Sequence, residues 1–338
     1  MARNNLRSVL SEARVPGASM AAVHQDAVVV CAAGLTNTES RAEVSADTIF
    51  DAASLSKPVF AHAVLQLIDA GHLSLETKLS DWAPEYVRDD PQTQVVTVGH
   101  ALCHTTGLPN WRSDEFPLRT YYAPGKRFSY SGEGFTWLQR TVEAITHQPL
   151  ETLMQRLVFE PLGMKKSSYV WQPTFEVNYA APHDASQKVG TKRKPEEAMA
   201  AFSLHTTASD YSCFLQAVLA GKRLHSSTAS LWLTPQIALR QGGILALRPD
   251  APKIDTRVAW GLGWGLEPDR GTFFQWGDND QGRHKTFAIG SVHEQVAVVI
   301  LTNGFNGMSV IPELIEDLLP GYHPCFDWLG YERHSSFA

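Results

Sequence analysis

The chain has 338 residues, of which 43% are hydrophobic and 19% charged, a globular composition with room for one large core or two interleaved ones that excludes a disordered polymer. A net charge of -6 supplies no basic surface for nucleic acid or an acidic membrane. Cys31, Cys103, Cys213 and Cys325 are far apart with no Cys-x-x-Cys pair, so they read as buried free thiols, not as a disulfide frame or metal site.

In chain order, residues 6–13 predict a short helix ended by Val15-Pro16-Gly17. Apolar runs at 18–24 and 27–32, joined by Gln25-Asp26, predict a hairpin. Thr48-Ile49-Phe50 leads into Ser54, and residues 57–70 carry a helical pattern in Val59, Val64, Leu65, Leu67 and Ile68, with Gly71 as the stop. Pro58 denies the Ser54 carbonyl its i+4 hydrogen bond, which is tolerated best in a first turn and places Ser54 at a helix N-terminus. Further helices are expected at 100–103, 135–145, 150–159 and 209–220, and the polar stretch 188–197 reads as a surface loop. After Val258 the pattern changes to strands at 259–266, 272–276, 286–292 and 295–302, then a helix at 311–319.

This order predicts an α+β fold, with early and late strands in one antiparallel sheet flanked by helices and an inserted all-helical lobe. Residues 1–60 and 253–338 would form the discontinuous sheet domain and 61–252 the mainly helical one. A site between two lobes suits small-molecule chemistry. No apolar run reaches the roughly 18 residues of a membrane span, and the N-terminus lacks a signal-peptide core. The expectation is therefore a cytoplasmic protein without membrane partners; removal of a leader would make it periplasmic or secreted.

Ser54-Leu55-Ser56-Lys57 is the one Ser-x-x-Lys in the sequence. On a helix, residues i and i+3 share a face, so a lysine amine stands beside a serine hydroxyl. Burial lowers a lysine pKa and favours the amine that can take the serine proton. Tyr130-Ser131-Gly132 follows the turn Pro124-Gly125-Lys126-Arg127-Phe128-Ser129, which can present the phenol to that pair.

Six segments, in order and over nearly the whole chain, carry a family resemblance. They are Ile49–Lys57, Leu102–Pro109, Pro124–Ser131, Phe159–Met164, Gly261–Trp264 and Leu301–Asn303. The chain resembles the serine β-lactamase and penicillin-binding-protein-like superfamily, and within it the class C β-lactamase-like branch that includes the family VIII carboxylesterases. The resemblance implies that Ser54 attacks a carbonyl to form an acyl-enzyme, which water releases. Lys57 and Tyr130 would share the proton work as a coupled pair. Backbone N–H groups, including that of Ser54, would stabilise the oxyanion, and no cofactor or metal is implied.

The sequence departs from the pattern at two places. Gly132 stands where β-lactamases carry the Asn of Tyr-x-Asn. Gln275-Trp276-Gly277, followed by Asp278, aligns with the third, Lys-Thr-Gly box, so the cation there is missing. Lys285, at the start of the next strand, could replace it. Both departures favour carboxylic esters over β-lactams. A β-lactamase or D-amino-acid amidase/peptidase is the alternative, and a penicillin-binding sensor that acylates without turnover is one of another class. The substrate would be a small ester, amide or β-lactam. Trp111, Tyr121, Tyr122, Trp276 and Phe305 could line an acyl or aryl pocket. His104, in His-Thr-Thr-Gly-Leu-Pro, reads as part of a structural turn, and Tyr211 as a structural helix residue. The apolar residues Phe326, Trp328, Leu329 and Tyr331 would form an interface or pack on the sheet.

Overall fold

The computed structural model describes residues 3–241, 243–247, 254–279 and 283–332. The expected domain boundary at 253 and the last six residues lie outside them. The strands are β1 (Gly17–His24), β2 (Ala27–Asn37), β3 (Ala42–Glu43), β4 (Phe50–Asp51), β5 (His205–Thr206), β6 (Ile237–Ala238), β7 (Ala259–Trp260), β8 (Gly265–Glu267), β9 (Thr272–Asn279), β10 (His284–Ser291) and β11 (Val296–Thr302). Nine of them form one sheet in the order β3-β2-β1-β11-β10-β9-β8-β7-β6, and β4 pairs with β5 apart from it. Every strand pair is antiparallel. The N-terminal hairpin joins the late meander through β1 and β11, with Ala18 opposite Thr302 and Val23 opposite Ala297.

The helices are α1 (Arg3–Glu12), α2 (Ser56–Asp69), α3 (Val98–Leu102), α4 (Gly132–Thr146), α5 (Leu150–Met154), α6 (Glu160–Leu162), α7 (Ala208–Ala220), α8 (Ser226–Trp232), α9 (Ile311–Glu316) and α10 (Pro324–Leu329). Successive side chains of a strand point to opposite faces, and β11 divides its residues accordingly. Val298 and Ile300 pack with Leu6, Leu10, Ile311 and Leu314 from the terminal helices. Ala297, Val299 and Leu301 pack in a second core with Val59, Val64 and Phe214. Both faces are covered, so β11 reads as a continuous apolar run. Helix α2 is buried from Ser56 to Leu67, as an apolar helix at the centre of a domain must be.

Three expectations are corrected. The single strand over 259–266 is two short strands, because Gly263 adopts φ +98° and Gly261 N–H donates to Trp264 O at 2.8 Å, closing a turn. The helix over 150–159 ends as α5 at Met154 and widens into a π-turn over Gln155–Phe159. Pro161 has no N–H for the Leu157 carbonyl, which instead accepts from Gln66 Nε2 at 3.1 Å. Ile237–Ala238, counted with the helical lobe, pairs with β7 at the edge of the sheet. The C-terminal aromatics pack inward: Trp328 lies 5.5 Å from Trp276 and Phe326 5.6 Å from Phe287, between ring centres. No disulfide joins the four cysteines, of which Cys103 and Cys325 are buried and Cys31 and Cys213 half-buried. Among the described residues no helix is long and apolar enough to cross a membrane.

Candidate active site

Ser54 stands in a braced turn. Strand β4 leads into it, and Ala52 N–H donates to Leu204 O at 2.8 Å. Ala53 then takes φ +50°, a left-handed conformation that costs a residue with a Cβ about 1–2 kcal/mol. The buried Asp51 carboxylate holds it there: Oδ1 accepts the Ala53 N–H at 2.9 Å and Asn279 Nδ2 at 2.8 Å. A 3₁₀ turn over Ala53–Leu55 feeds directly into α2, so Ser54 lies just before the α-helix. Tyr211 Oη donates to Leu55 O at 3.1 Å and Tyr169 Oη to Ser56 O at 2.6 Å. These tyrosines support the turn from beneath, while Ser54 itself stays partly exposed.

Lys57 is 1% exposed, and its Nζ lies 3.1 Å from Ser54 Oγ and donates to Ala201 O at 2.6 Å. Burial lowers its pKa to about 7, because a low-dielectric site penalises the ammonium. The Nζ sits 4.7 Å from the centre of the Tyr130 ring. Burial pushes the Tyr130 phenol above the ordinary range, and the neighbouring Ser54 and Gln275 side chains offset this only partly. The two groups thus move in opposite directions: amine for Lys57, neutral phenol for Tyr130. His104 lies 4.2 Å from Tyr130 between ring centres, and its Nδ1 accepts the Ser131 N–H at 3.0 Å. Burial, and the charge Lys57 carries when it is protonated, lower the pKa of this imidazole, so it positions the Tyr130 segment as a neutral group.

Strand β9 closes the other side. Gln275 Nε2 donates to Tyr130 Oη at 2.9 Å and to Trp276 O at 3.0 Å. Gly277 is required by close approach: a Cβ there would lie 2.2 Å from Thr286 Oγ1 and 2.8 Å from Ala52 O. Trp276 is buried, 4.7 Å from Tyr130 between ring centres. Asp278 Oδ2 accepts from Lys285 Nζ at 2.6 Å, so the lysine proposed as a replacement cation already has its counter-charge.

The rim comes from the loop before Tyr130. Gly132 N–H donates to Asn110 Oδ1 at 2.9 Å, and the Trp111 indole lies over Gly132. Glu133 fixes that loop, accepting from Arg112 N and Nε at 2.9 Å each, from Arg112 Nη2 at 2.7 Å, and from Tyr86 Oη. Of the other aromatic candidates, Tyr121 packs under Arg119, Tyr122 under Arg127, and Phe305 beside Lys285. Sequence reasoning missed Asp51, Asn279, the Ala201 carbonyl and the Glu133–Arg112 clamp. Asp51, two residues before Ala53, carried the one available signal: a side chain that commonly caps its own turn.

Residues 2–318 match the family model described as Beta-lactamase. Penicillin-binding protein 4 of Amycolatopsis lactamdurans is 27% identical over 332 residues, covering 91% of this chain and 86% of that protein. Esterase EstB of Burkholderia gladioli is 32% identical over 192 residues, covering 48% of this chain and 49% of that protein. Among solved structures, EstCE1, described as a hydrolase with promiscuous acyltransferase activity, superposes with a TM-score of 0.78 at 20% identity over 94% of this chain and 97% of that one. With a family match along nearly its entire length and this fold, the chain belongs to the Beta-lactamase family and is a serine hydrolase.

Proposed function

We propose that the protein cleaves small carboxylic esters through an acyl-enzyme on Ser54, with weak or no β-lactam hydrolysis. The carrying observation is the buried Lys57 amine 3.1 Å from Ser54 Oγ, with its pKa lowered to about 7. A base poised near working pH is the most effective kind. Lys57 takes the Ser54 proton as Oγ attacks the carbonyl carbon. Tyr130, kept neutral, passes a proton to the leaving alkoxide and recovers one from Lys57. Water then attacks the acyl carbon and releases the acid, restoring the Ser54 hydroxyl.

Strand geometry supports the oxyanion site. Strand β9 pairs with β8 only as far as Phe274, leaving its edge open beyond. The Trp276 carbonyl accepts from the Gln275 side chain at 3.0 Å, which suits an orientation toward that open edge. By alternation the Asp278 N–H points the same way. It would join the Ser54 N–H in binding the developing charge.

The ester preference rests on Gln275. A neutral amide bonded to Tyr130 supports the register that aligns Gln275-Trp276-Gly277 with the third box, and it offers no cation for a β-lactam carboxylate. Esterase relatives point the same way. We also read the sheet part (1–60 and 253–338, with the edge strand Ile237–Ala238) and the mainly helical remainder of 61–252 as two lobes meeting at Ser54. A penicillin-binding or peptidase activity is the second reading, favoured by the long match to Penicillin-binding protein 4.

The test is parallel turnover of a short p-nitrophenyl ester and a chromogenic cephalosporin by wild type and Ser54→Ala. Steady ester turnover lost in the variant, with little cephalosporin cleavage, is the expected result. Fast cephalosporin turnover would replace the esterase reading, and a burst without turnover would select the sensor.

A further inference from the structure

The residue that β-lactamases use to hold a substrate side chain is Gly132 here, and the space above it is filled. A Cβ at 132 would lie 2.5 Å from both Trp111 Cη2 and Cζ2, and 2.8 Å from Cζ3. The indole therefore rests on the bare glycine backbone. It meets Phe202 edge to face, with ring centres 5.5 Å apart and planes at 82°. The Arg193 guanidinium covers Phe202 at 4.9 Å.

These contacts seat the indole on the two backbone segments next to the catalytic cluster. Gly132 is two residues from Tyr130, whose ring centre lies 4.7 Å from Lys57 Nζ. Phe202 follows Ala201, whose carbonyl accepts from Lys57. Trp111 thus bridges the two backbone segments that flank the reacting groups. Glu133 grips Arg112 next door through three hydrogen bonds, including one from the Arg112 backbone, which fixes the stretch of chain that carries the indole. Yet 43% of Trp111 remains exposed, a large apolar surface that a fixed loop leaves open to solvent. A rigid indole presents a flat face at low entropic cost, and aromatic rings gain from packing against it beyond their buried area.

We propose that Trp111, supported by Gly132 and Phe202, is the specificity wall of the site and selects substrates carrying a flat aromatic ring. This deepens the esterase reading and rests on Ser54 as the nucleophile. The ring could belong to the acyl or the alcohol half of the ester, and comparing phenylacetate with benzyl esters separates the two. The wall itself is best tested without turnover. A boronic acid takes Ser54 Oγ onto boron, the serine proton passing to Lys57, and the reversible adduct gives a dissociation constant. The probes are benzylboronic acid, which carries a ring, and butylboronic acid, which does not.

The measured quantity is the ratio of the two dissociation constants by titration calorimetry. Wild type is expected to favour the aromatic probe about tenfold. Trp111→Ala should erase most of that ratio and Trp111→Phe should keep most of it. Trp111→Leu, which retains bulk without a ring, should behave like Trp111→Ala and stands in for it if the smaller variant does not fold. A ratio unchanged in Trp111→Ala or Trp111→Leu would overturn the wall, whether or not both affinities fall, because equal losses are what a merely structural residue produces. Adducts of both probes with no aromatic preference in wild type would overturn the wall and leave the Ser54 reading standing. Binding of neither would overturn the Ser54 reading and the wall with it.

Discussion

Asn279 Nδ2 donates to Asp51 Oδ1 at 2.8 Å, so the last residue of β9 is tied to the carboxylate that holds the Ala53–Ser54 turn. The same amide also donates to Phe202 O at 3.0 Å. One side chain therefore sets the spacing of the third box, the serine and the segment that carries the Lys57 acceptor. Misplacing reacting groups by about 1 Å can cost a hundredfold in rate. Asn279→Ala should lower kcat by about 10- to 100-fold and stability by about 1–3 kcal/mol, the usual penalty for a buried acceptor left short of a donor. Acylation by a fluorophosphonate probe and urea unfolding check the two effects. A variant with full acylation rate would show that the turn holds itself.

Removing the serine hydroxyl is a small structural change with a large chemical one. Ser54→Ala should abolish acylation with the unfolding midpoint near wild type. Lys57→Ala and Tyr130→Phe should each reduce acylation by about 10²–10⁴, and the double variant should be little worse than the poorer single one, as for residues that act as a unit. Single-turnover kinetics on all four proteins gives the answer, and multiplicative losses would contradict a shared proton path.

The pH dependence follows from Lys57. In the proposed mechanism its amine is the competent form, and its pKa is lowered to about 7, so kcat/KM should fall as pH drops below 7 and level off above it. In the unfolded chain the same lysine keeps its proton up to its ordinary value of 10.5. Between these values the unfolded state binds more protons, so this group makes stability rise with pH across that window. Below it the cost of the buried charge is complete. Lys57→Met should be inactive and more stable than wild type, by a margin on the order of a few kcal/mol near pH 6 that shrinks by pH 10. Denaturant titrations at the two pH values measure it.

A second titration lies far from the site. Glu267 is buried under α10, where it meets His323 Nδ1 at 2.7 Å and accepts from Cys325 N at 2.9 Å and Thr272 Oγ1 at 2.5 Å. Burial alone would raise its pKa, but the hydrogen bond and charge of His323, with the Thr272 and Cys325 donors, bring it below the ordinary value. A depressed carboxyl stabilises above its unfolded pKa, and that contribution is lost as pH falls through the folded one. Glu267→Gln should cost about 1–3 kcal/mol at pH 7, and the difference from wild type should narrow as pH falls below 4. An unchanged gap in unfolding free energy across that range would refute the assignment.

Much of the site was legible because its chemistry is written locally. Ser54 and Lys57 sit one turn apart in sequence and in space, and the late strands announce themselves by apolar runs. The parts that were not legible depend on distant chain segments. Asn279 reaches Asp51 across 228 positions, and the Ala201 carbonyl that accepts from Lys57 is backbone, which any residue could supply. Trp111 could be named as one of five candidate aromatics, but only its seat on Gly132 separates it from Tyr121 and Tyr122. The π-turn after Met154 was hidden because Pro161, which leaves the Leu157 carbonyl without its helical donor, and Gln66, which supplies another, come from distant parts of the chain.

The seating of Trp111 on Gly132 also constrains what this chain can become. An asparagine at 132 would have its first carbon driven into the indole, so Gly132→Asn alone should impair the enzyme rather than broaden it. Shrinking Trp111 first opens that substitution sterically. The favoured order of mutation therefore puts 111 before 132, and screens that sample single changes at 132 would pass over the paired route.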